Sequence, residues 1–552
     1  MEILRSVGLE TEVKKIAPPS ELWRQFRYCV SLLGSTIATD DHFRSPEFRE
    51  MLKTSPCKVT QLSQPKLEDI LKAADGESHF MYEHTLVEFH QAPNGKVIST
   101  LETPNKTRIQ VESDYMIGAD GAQSFVRRKL GIEQQGLFDM ETFGSVHFTS
   151  MALSRRLGSE RNAMLTFVYN PDVMGVVVSQ DKGEWVFHGL VFPPAQDVSD
   201  YTDASKCRAI LEDICGENIP DLEIHSTKIW SMHALVANRF AGLGNKCFLV
   251  GDAAHQFPPS GGFGVNIGTF LSLISCYLTN VSGMGDAYNL AWKLHYVMKG
   301  ASNERLLESY SRERRPVVAQ ALSTAIDNYR RGLLVAQTMG LDRAAVATAM
   351  PLLSAAGNSD KLLSLGRQHL RLPSLITSKV RNLIESQHLG LPLIFPRVDK
   401  GYSYDESPSI LYEQEVSKYH DSFMLKPHWS RDAQQRVEAG TSPGKLLPHC
   451  WVKDMVSNKN VSTSDIIARF YPKYTLFAGT PGVQVDHPLV QVVTISNEDN
   501  GEFLCNSNWL GLREVSASGV VLVRPDGHVC WRDMNGEQMA ELSEVLKKVI
   551  ES

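Results

Sequence analysis

The chain has 552 residues, enough for about three to four domains of ordinary size. Its 42% hydrophobic and 22% charged residues are typical of a globular protein, and a net charge of −7 gives no reason to expect nucleic acid as a partner. The nine cysteines are scattered without metal-ligand spacing, which predicts no metal site, no disulfide framework and a reducing, cytoplasmic location. We also expect no membrane partner, because the sequence contains neither a run of transmembrane length nor a recognisable signal peptide.

The first predicted elements are helical. Residues 1–9 are typical of a helix that ends at Gly8, a residue suited to a helix C-cap. Residues 63–71 indicate a turn followed by an amphipathic helix with apolar residues at helical spacing. Gln64 stands in the first turn of this helix, where an ordinary helix start explains it as well as a ligand contact does.

The next stretch predicts strands and turns. Residues 80–111 alternate weakly around a Pro-Asn-Gly turn, which indicates a β meander. A short buried strand then runs into Asp120-Gly121, and a basic helix with Arg127, Arg128 and Lys129 follows. An isolated Asp-Gly pair is usually only a turn, and a basic helix face is usually only solvated.

Residues 141–236 predict a mainly antiparallel sheet, because strand-like runs alternate with polar turns. The predicted strands are Phe143–Thr149, Met164–Tyr169, Gly175–Ser179, Trp185–Phe192 and Ile224–Trp230. Its aromatic side chains could line a pocket for an aromatic ligand, although sheet core or surface remains the alternative for each of them. These side chains are Phe167, Tyr169, Trp185, Phe187 and His188.

The most informative stretch is FLVGDAAHQFPPSGGFGVNIG at residues 248–268. A buried strand ends at Gly251-Asp252, and a stiff Pro258-Pro259 pair and a glycine-rich turn with Asn266 follow. Glycines let a backbone approach a ligand closely. A carboxylate beside exposed backbone N–H groups suits a ribityl chain or a phosphate. An ordinary Gly/Pro loop is the alternative.

This string resembles the second flavin-binding motif of the single-component FAD-dependent aromatic hydroxylases, the class A flavoprotein monooxygenases of the para-hydroxybenzoate hydroxylase fold. The stretch around Asp120-Gly121 is similar to the family's Asp-Gly motif, associated with FAD and with the reduced nicotinamide cofactor. DAYNLAWKL at residues 286–294 and the Tyr310 to Pro316 segment also match family helices. The resemblance covers most of the chain and is greatest to the phenol, dichlorophenol and aromatic-polyketide hydroxylases.

The resemblance implies a set of FAD-binding residues. Asp252 is expected to contact the ribityl chain, Gln64 the flavin chain, and the backbone after Pro259 the isoalloxazine ring. The basic helix after Asp120 could also attract the phosphate of NADPH. The full set is Gln64, Asp120, Asp252, Pro259, Gly262, Gly264, Val265 and Asn266. No catalytic base is assigned.

Two features depart from the family pattern. The opening βαβ unit with its GxGxxG turn does not precede Met1, so we expect an N-terminally truncated chain. The apolar stretch at residues 269–284 stands where relatives pass directly into the next helix, which suggests a gene-model error or an insertion. Either departure favours a flavin-free, inactive remnant or an interaction protein as an alternative to an enzyme.

The C-terminal part predicts a separate small domain. VLVRPDGHVCWR at residues 521–532 is similar to the thioredoxin-like domain of the phenol hydroxylase branch. Cys450, Cys505 and Cys530 stand alone in the sequence, so we expect a structural domain that could support a homodimer rather than a redox role.

Together these patterns predict an α/β (α+β) chain. Residues 1–135 form the first, truncated part of a Rossmann-like FAD-binding domain, and residues 136–240 form an antiparallel-sheet substrate domain. Residues 241–400 complete the FAD-binding domain with a helical segment, residues 401–442 are a linker, and residues 443–552 are the thioredoxin-like domain.

The resemblance implies hydroxylation of a phenolic or aromatic polyketide substrate with FAD, NAD(P)H and O₂, in secondary metabolism. The protein would bind and orient these molecules and shield them from water. Baeyer–Villiger oxidation of a polyketide is the alternative within the class, because it uses the same flavin motifs.

Overall fold

A computed structural model gives the fold. It describes residues 1–76, 78–170, 173–181, 183–191, 197–260, 283–338, 374–385, 395–413, 437–498, 500–505 and 508–550. The strands are β1 Gln25–Cys29, β2 Thr36–Asp41, β3 Thr85–Gln91, β4 Val97–Glu102, β5 Arg108–Ser113, β6 Met116–Gly118, β7 Gln134–Thr149, β8 Leu165–Tyr169, β9 Met174–Asp181, β10 Glu184–Leu190, β11 Glu223–Ala237, β12 Ala241–Gly242, β13 Cys247–Leu249, β14 His255–Gln256, β15 Trp451–Asp454, β16 Asn460–Ser462, β17 Tyr474–Ala478, β18 Val490–Ser496, β19 Phe503–Cys505, β20 Val520–Val523 and β21 Val529–Asp533. The helices are α1 Glu2–Ser6, α2 Glu10–Ile16, α3 Pro46–Thr54, α4 Gln64–Ala74, α5 Phe125–Lys129, α6 Met151–Arg161, α7 Ala204–Cys215, α8 Met284–Met298, α9 Arg305–Thr338, α10 Ser374–Glu385, α11 Pro396–Asp399, α12 Thr463–Phe470, α13 Asn508–Leu512 and α14 Leu542–Ile550. This mixture of helices and sheets confirms the predicted α/β class.

The largest sheet has eight strands in the order β14-β11-β7-β10-β9-β8-β1-β2. Every neighbouring pair is antiparallel except β1 and β8. The five strands expected in residues 141–236 form its centre, and β1, β2 and β14 extend it with segments from outside that range. We call this the substrate sheet, after the role that the family resemblance implies for it.

Side chains alternate between the two faces of the substrate sheet, so both faces carry apolar residues. Helices cover each face and bury these residues. Val146 and Phe187 pack with Leu211 of α7 on one face. Phe167 and Val178 belong to the core that includes Val335 of α9 and residues of α10 on the other face. We call the second face the α9 face.

A smaller sheet, β12-β13-β6, contains the two strands that precede the Asp-Gly and Gly-Asp motifs. β6 and β13 are parallel, and α8 and α9 supply buried residues such as Leu290 and Leu306 to the core around them. Tyr310 Oη donates a 2.7 Å hydrogen bond to the Leu249 carbonyl, so α9 also fixes the end of β13. The meander β3-β4-β5 forms a separate antiparallel sheet.

The C-terminal part contains a seven-stranded sheet in the order β16-β15-β19-β18-β17-β20-β21. The apolar residues of α14 pack with β17 and β20 in the same core as α8. Within the described part of the chain every cysteine is buried and free, and burial raises the pKa of Cys530, Cys450 and Cys505. A high thiol pKa opposes thiolate redox chemistry.

Two kinds of feature are missing from the described residues. No helix in them combines the length and apolar character that crossing a membrane requires. Nor do their His, Cys, Asp and Glu side chains form a group that could hold a metal ion.

Candidate functional site

Two predicted site residues follow the carboxyl ends of adjacent parallel strands. Gly118 of β6 is paired with Leu249 of β13, and Asp120 and Asp252 stand just beyond these ends. Ligands of open α/β sheets bind in the crevice outside the carboxyl ends of the strands. Gly118 allows α5 to pack closely there, since a Cβ at this position would lie 2.8 Å from Val126 Cγ1. The strand pairing therefore brings the two motifs to one edge.

The carboxylate of Asp120 stabilises the loop that carries it. It accepts hydrogen bonds from Ser124 Oγ at 2.5 Å and from the Val126 amide at 2.9 Å, at the start of α5. Asp120 is nevertheless exposed. A carboxylate has about four acceptor positions, so the hydroxyl groups of a ligand can be accepted as well.

Arg127 connects the two motif loops. Its guanidinium is buried and donates to the carbonyl oxygens of Ala253 at 3.0 Å and Ala122 at 2.9 Å. Gln256 supports the same connection, with a 3.3 Å bond to the Ala122 carbonyl. Because the donors of Arg127 are directed at the protein backbone, the exposed charges of the predicted basic helix face are those of Arg128 and Lys129.

We predict that Arg127→Ala separates the two loops. The substitution leaves two backbone carbonyls without their donor, which costs about 1–3 kcal/mol in the free energy of unfolding. We expect FAD binding to weaken in parallel. Arg128→Ala is the matched control on the same helix and should change stability by less than about 0.5 kcal/mol. Urea unfolding and flavin retention after desalting measure both effects, and equal behaviour of the two variants would contradict the prediction.

A fully buried carboxylate positions the Gly251-Asp252 turn. Asp286 Oδ2 accepts from the Gly251 amide at 3.0 Å and lies 2.7 Å from His255 Nε2, while Oδ1 accepts from Arg314 Nε at 2.9 Å. Gly251 has φ +61°, a conformation that favours glycine. Burial alone would raise the pKa of Asp286, but His255 and Arg314 hold it at about 2.

Sequence reasoning did not identify this support. Each of these residues, His255, Asp286 and Arg314, stands in a segment that matched the family. Asp286 is 31 positions from His255 and 28 positions from Arg314 in the sequence. The signal available was a polar, ionisable residue inside each apolar motif. Nothing in their spacing predicts that they meet.

Gln64 lies in a neighbouring core. It is buried at the start of α4, and its Nε2 donates to Glu68 Oε1 at 2.9 Å. Leu67 of the same helix packs in a cluster with Leu4 and Met284. Met284 begins α8, the helix that carries Asp286, so α4 shares a core with the start of α8 through Leu67.

The Pro-Pro turn is anchored to α9. Phe257 packs against Ala234 and Leu322, and Ser260 Oγ donates to the Ala325 carbonyl at 2.7 Å. Pro258 is buried and Pro259 is partly exposed. The predicted residues Gly262, Gly264, Val265 and Asn266, and residues 269–282 of the unusual apolar stretch, lie outside the described residues.

A cavity of about 600 Å³ opens beside the first turn of α8. Gly285 and Tyr288 line it on one side, and Asp526 and His528 line it on the other. Of the predicted FAD-binding residues that the structure describes, none lines this cavity. Asp120 and Asp252 stand at the strand ends and do not line this cavity.

The two strand ends bring together carboxylates and loops with unusual backbone conformations. Two aspartates at adjacent strand ends supply acceptors for hydroxyl groups, and positive-φ glycines at 121 and 251 allow close approach of the backbone. Charges of both signs lie at this edge, because α5, which follows Asp120, bears the exposed Arg128 and Lys129.

Comparisons with known proteins identify the class. The FAD binding domain family matches residues 1–325, which is more than half of the chain, and the aromatic-ring hydroxylase C-terminal domain matches residues 440–552. The chain therefore belongs to the FAD-dependent aromatic-ring hydroxylases, as its motifs predicted. It is an FAD-dependent monooxygenase by family.

Individual relatives agree with this assignment. The 2,4-dichlorophenol 6-monooxygenase of Cupriavidus pinatubonensis is 26% identical over 100% of this chain and 88% of its own length. The tetracenomycin B2 monooxygenase-dioxygenase of Streptomyces olivaceus is 26% identical over 88% of this chain and 75% of its own. The crystal structure of the flavin-dependent monooxygenase PieE with FAD and substrate is 26% identical and covers 100% of this chain and 90% of that one, with a TM-score of 0.78.

Proposed function

We propose that this chain hydroxylates a phenolic ring, either a simple phenol or an aromatic polyketide of secondary metabolism, with NAD(P)H and O₂ in the cytoplasm. The observation that carries the proposal is the meeting of the Asp120 and Asp252 loops at adjacent strand ends, next to a sheet with aromatic side chains. Relatives named for dichlorophenol and for tetracenomycin B2 support the substrate class.

Asp252, Asp120 and Gln64, with the backbone after Pro259, are the groups that would hold FAD. Gly262, Gly264, Val265 and Asn266 complete this proposed set. When bound, FAD supplies the activation of dioxygen after reduction by NAD(P)H. The protein's part is to fix these loops, through Arg127 and Asp286, and to hold the aromatic ring on the substrate sheet away from water.

The aromatic side chains of the substrate sheet divide between its faces. Trp185 and Phe187 pack into the core beside α7, so the expectation that they line an aromatic pocket is wrong. Phe167 and Tyr169 are buried in the core between the α9 face and its helices. His188, in contrast, lies on the α9 face beside partly exposed aromatic surface, and it remains a candidate.

The first test is flavin retention. The purified chain, incubated with FAD and desalted, should keep the visible spectrum of an oxidised flavin and oxidise NAD(P)H faster in the presence of a phenol. Mass spectrometry should then find a product with one added oxygen atom, and its structure separates ring hydroxylation from Baeyer–Villiger oxidation. A colourless protein would contradict the proposal and favour a flavin-free interaction protein.

We predict that Asp252→Ala weakens FAD binding. Loss of hydrogen bonds to a charged acceptor costs about 1.5–3 kcal/mol, which corresponds to a Kd raised roughly tenfold to a hundredfold. Asp114→Ala is the matched control, because Asp114 is an exposed carboxylate just before the opposite end of β6. Fluorescence titration with FAD measures both, and an unchanged Kd for Asp252→Ala would remove this residue from the site.

A further inference from the structure

Three polar side chains form a hydrogen-bonded group on the substrate sheet. Ser145 Oγ lies 2.8 Å from His188 Nδ1 and accepts a 2.8 Å bond from Trp230 Nε1. Ser145 and His188 are buried at 3% and 5% exposure, while Trp230 is partly exposed. Phe143 stacks on Trp230 with ring centroids 4.8 Å apart and planes 13° apart. A polar group is thus placed beside an aromatic platform.

This group lies on the α9 face. His188 is directly opposite Ser145 in the register of β10 and β7, so their side chains share a face. The flanking Phe187 and Val146 point into the core beside α7. Val186, two residues before His188, is paired with Val178, which packs with Val335 of α9.

The Pro-Pro turn contacts the same helix. Its end is tied to Ala325 by Ser260, and Phe257 packs against Leu322. These contacts lie about three turns of helix before Val335. The turn and the Ser145–His188–Trp230 group therefore flank α9 on one side of the substrate sheet.

The hydrogen bonds allow His188 to take up a proton without turning. The indole N–H of Trp230 can only donate, so it occupies one lone pair of Ser145 Oγ. The other lone pair can accept from Nδ1–H of His188. In that arrangement Nε2 bears a lone pair, and protonation at Nε2 leaves the bond between Nδ1–H and Oγ intact.

We propose that His188 accepts the hydroxyl proton of the phenolic substrate, with Ser145 and Trp230 as its positioning residues and the Phe143–Trp230 pair as the platform for the ring. The substrate O–H bond breaks, an N–H bond forms at Nε2, and the phenolate oxygen accepts a hydrogen bond from the imidazolium. This proposal rests on the proposed function and supplies the base that activation of a phenol requires.

The neighbouring charges agree with a bound anion. Lys228 is directly opposite Ser145 in the register of β11 and β7, on the same face. His147 also shares this face, but it is paired with Glu184 at 3.0 Å and lies towards the end of β7. Lys228 favours a phenolate near Ser145. Glu184 is engaged by His147, and Glu141, which also shares this face, lies four residues from Ser145 along β7 and opposite Met232.

The test uses 4-nitrophenol, whose anion is yellow and whose neutral form is nearly colourless. The FAD-loaded chain is titrated with this probe at a pH equal to the probe's own pKa, where half of the free probe is ionised. We expect the wild-type chain to bind it mainly as the anion. His188→Gln should bind it at least tenfold more weakly and lose the shift towards the anion. His188→Gln should also slow formation of a hydroxylated product by roughly 10²- to 10⁴-fold.

His147→Gln, two residues from Ser145 on the same face, is the matched control and should behave as wild type. Trp230→Phe keeps the aromatic platform but removes the N–H donor, so the ring should bind while the shift towards the anion decreases. A purely structural role for His188 would lower thermal stability and leave the ionisation of the bound probe unchanged.

Each outcome decides one of the two proposals. A His188→Gln variant that retains FAD and ionises the probe like wild type overturns the role of His188. A wild-type chain that holds FAD but does not bind or ionise the probe also overturns it, and leaves the proposed function standing. If the wild-type chain holds no FAD, the proposed function fails, and the same titration on the flavin-free chain still decides the role of His188.

Discussion

Glu313→Ala is expected to lower the free energy of unfolding by at least about 3–5 kcal/mol. Glu313 of α9 is fully buried and accepts from Lys293 Nζ at 2.7 Å and from Arg524 Nη1 and Nη2 at 2.6 and 2.9 Å. Removing this carboxylate takes from Lys293 the carboxylate that it bonds and leaves Arg524 with Asp526. Because a whole domain is stable by only about 5–15 kcal/mol, the variant should be close to unfolding.

The environment of Glu313 explains the size of this effect. Burial by itself would raise the pKa of Glu313, but Arg524 and Lys293 hold it well below its usual range. Burial lowers the pKa of Lys293 to about 8. Arg524 also contacts Asp526, and Asp526 accepts from Trp292 of α8 at 3.2 Å. These contacts join the turn after β20 to α8 and α9.

Urea unfolding followed by circular dichroism measures the change. Glu308→Ala is the control, since Glu308 lies on the same helix, is half exposed and pairs only with Arg312 at 3.7 Å within the described part of the chain. That variant should stay within about 0.5 kcal/mol of wild type. A Glu313→Ala variant as stable as Glu308→Ala would show that the buried cations find other partners.

Acid is expected to destabilise the Gly251 turn through Asp286. The pKa of Asp286 is lowered from 3.8 to about 2 in the folded chain. A group with a depressed folded pKa contributes stability above its unfolded pKa and loses it as the pH falls through the folded value. The contribution is about 2–3 kcal/mol, fully present at neutral pH and lost between about pH 4 and about pH 2.

Asp286→Asn should therefore be less stable than wild type at neutral pH, and its stability should fall less steeply in acid. Urea unfolding at successive pH values from about 6 to about 3 compares the slopes. Asp114→Asn, with its exposed carboxylate, should keep the wild-type slope. Parallel curves for wild type and Asp286→Asn would mean that the ion pairs of Asp286 do not set the acid limit.

The sequence predicted the elements and motif loops from local patterns. Alternation at residues 143–149 and 224–230 indicated strands, and both lie within β7 and β11 of the antiparallel sheet. A strand before each of Asp120 and Asp252 was also predictable, because short apolar runs followed by glycine turns are local features. The prediction that both strands are buried is right for β13 and wrong for β6, where Ile117 is 48% exposed. The family followed from the fixed order of Asp, Pro-Pro and glycines around residue 252.

Only the tertiary structure decided which of these residues meet. Because side chains alternate along a strand, Trp185 and Phe187 lie on the other face of the sheet from His188. The alternation does not say which face packs against α7 and which against α9. The links from Asp286 to His255 and Arg314, and from Glu313 to Arg524, join positions between 28 and 211 residues apart. Buried charges are stable only where partners from distant segments neutralise them, and the packing of helices and sheets brings those partners together.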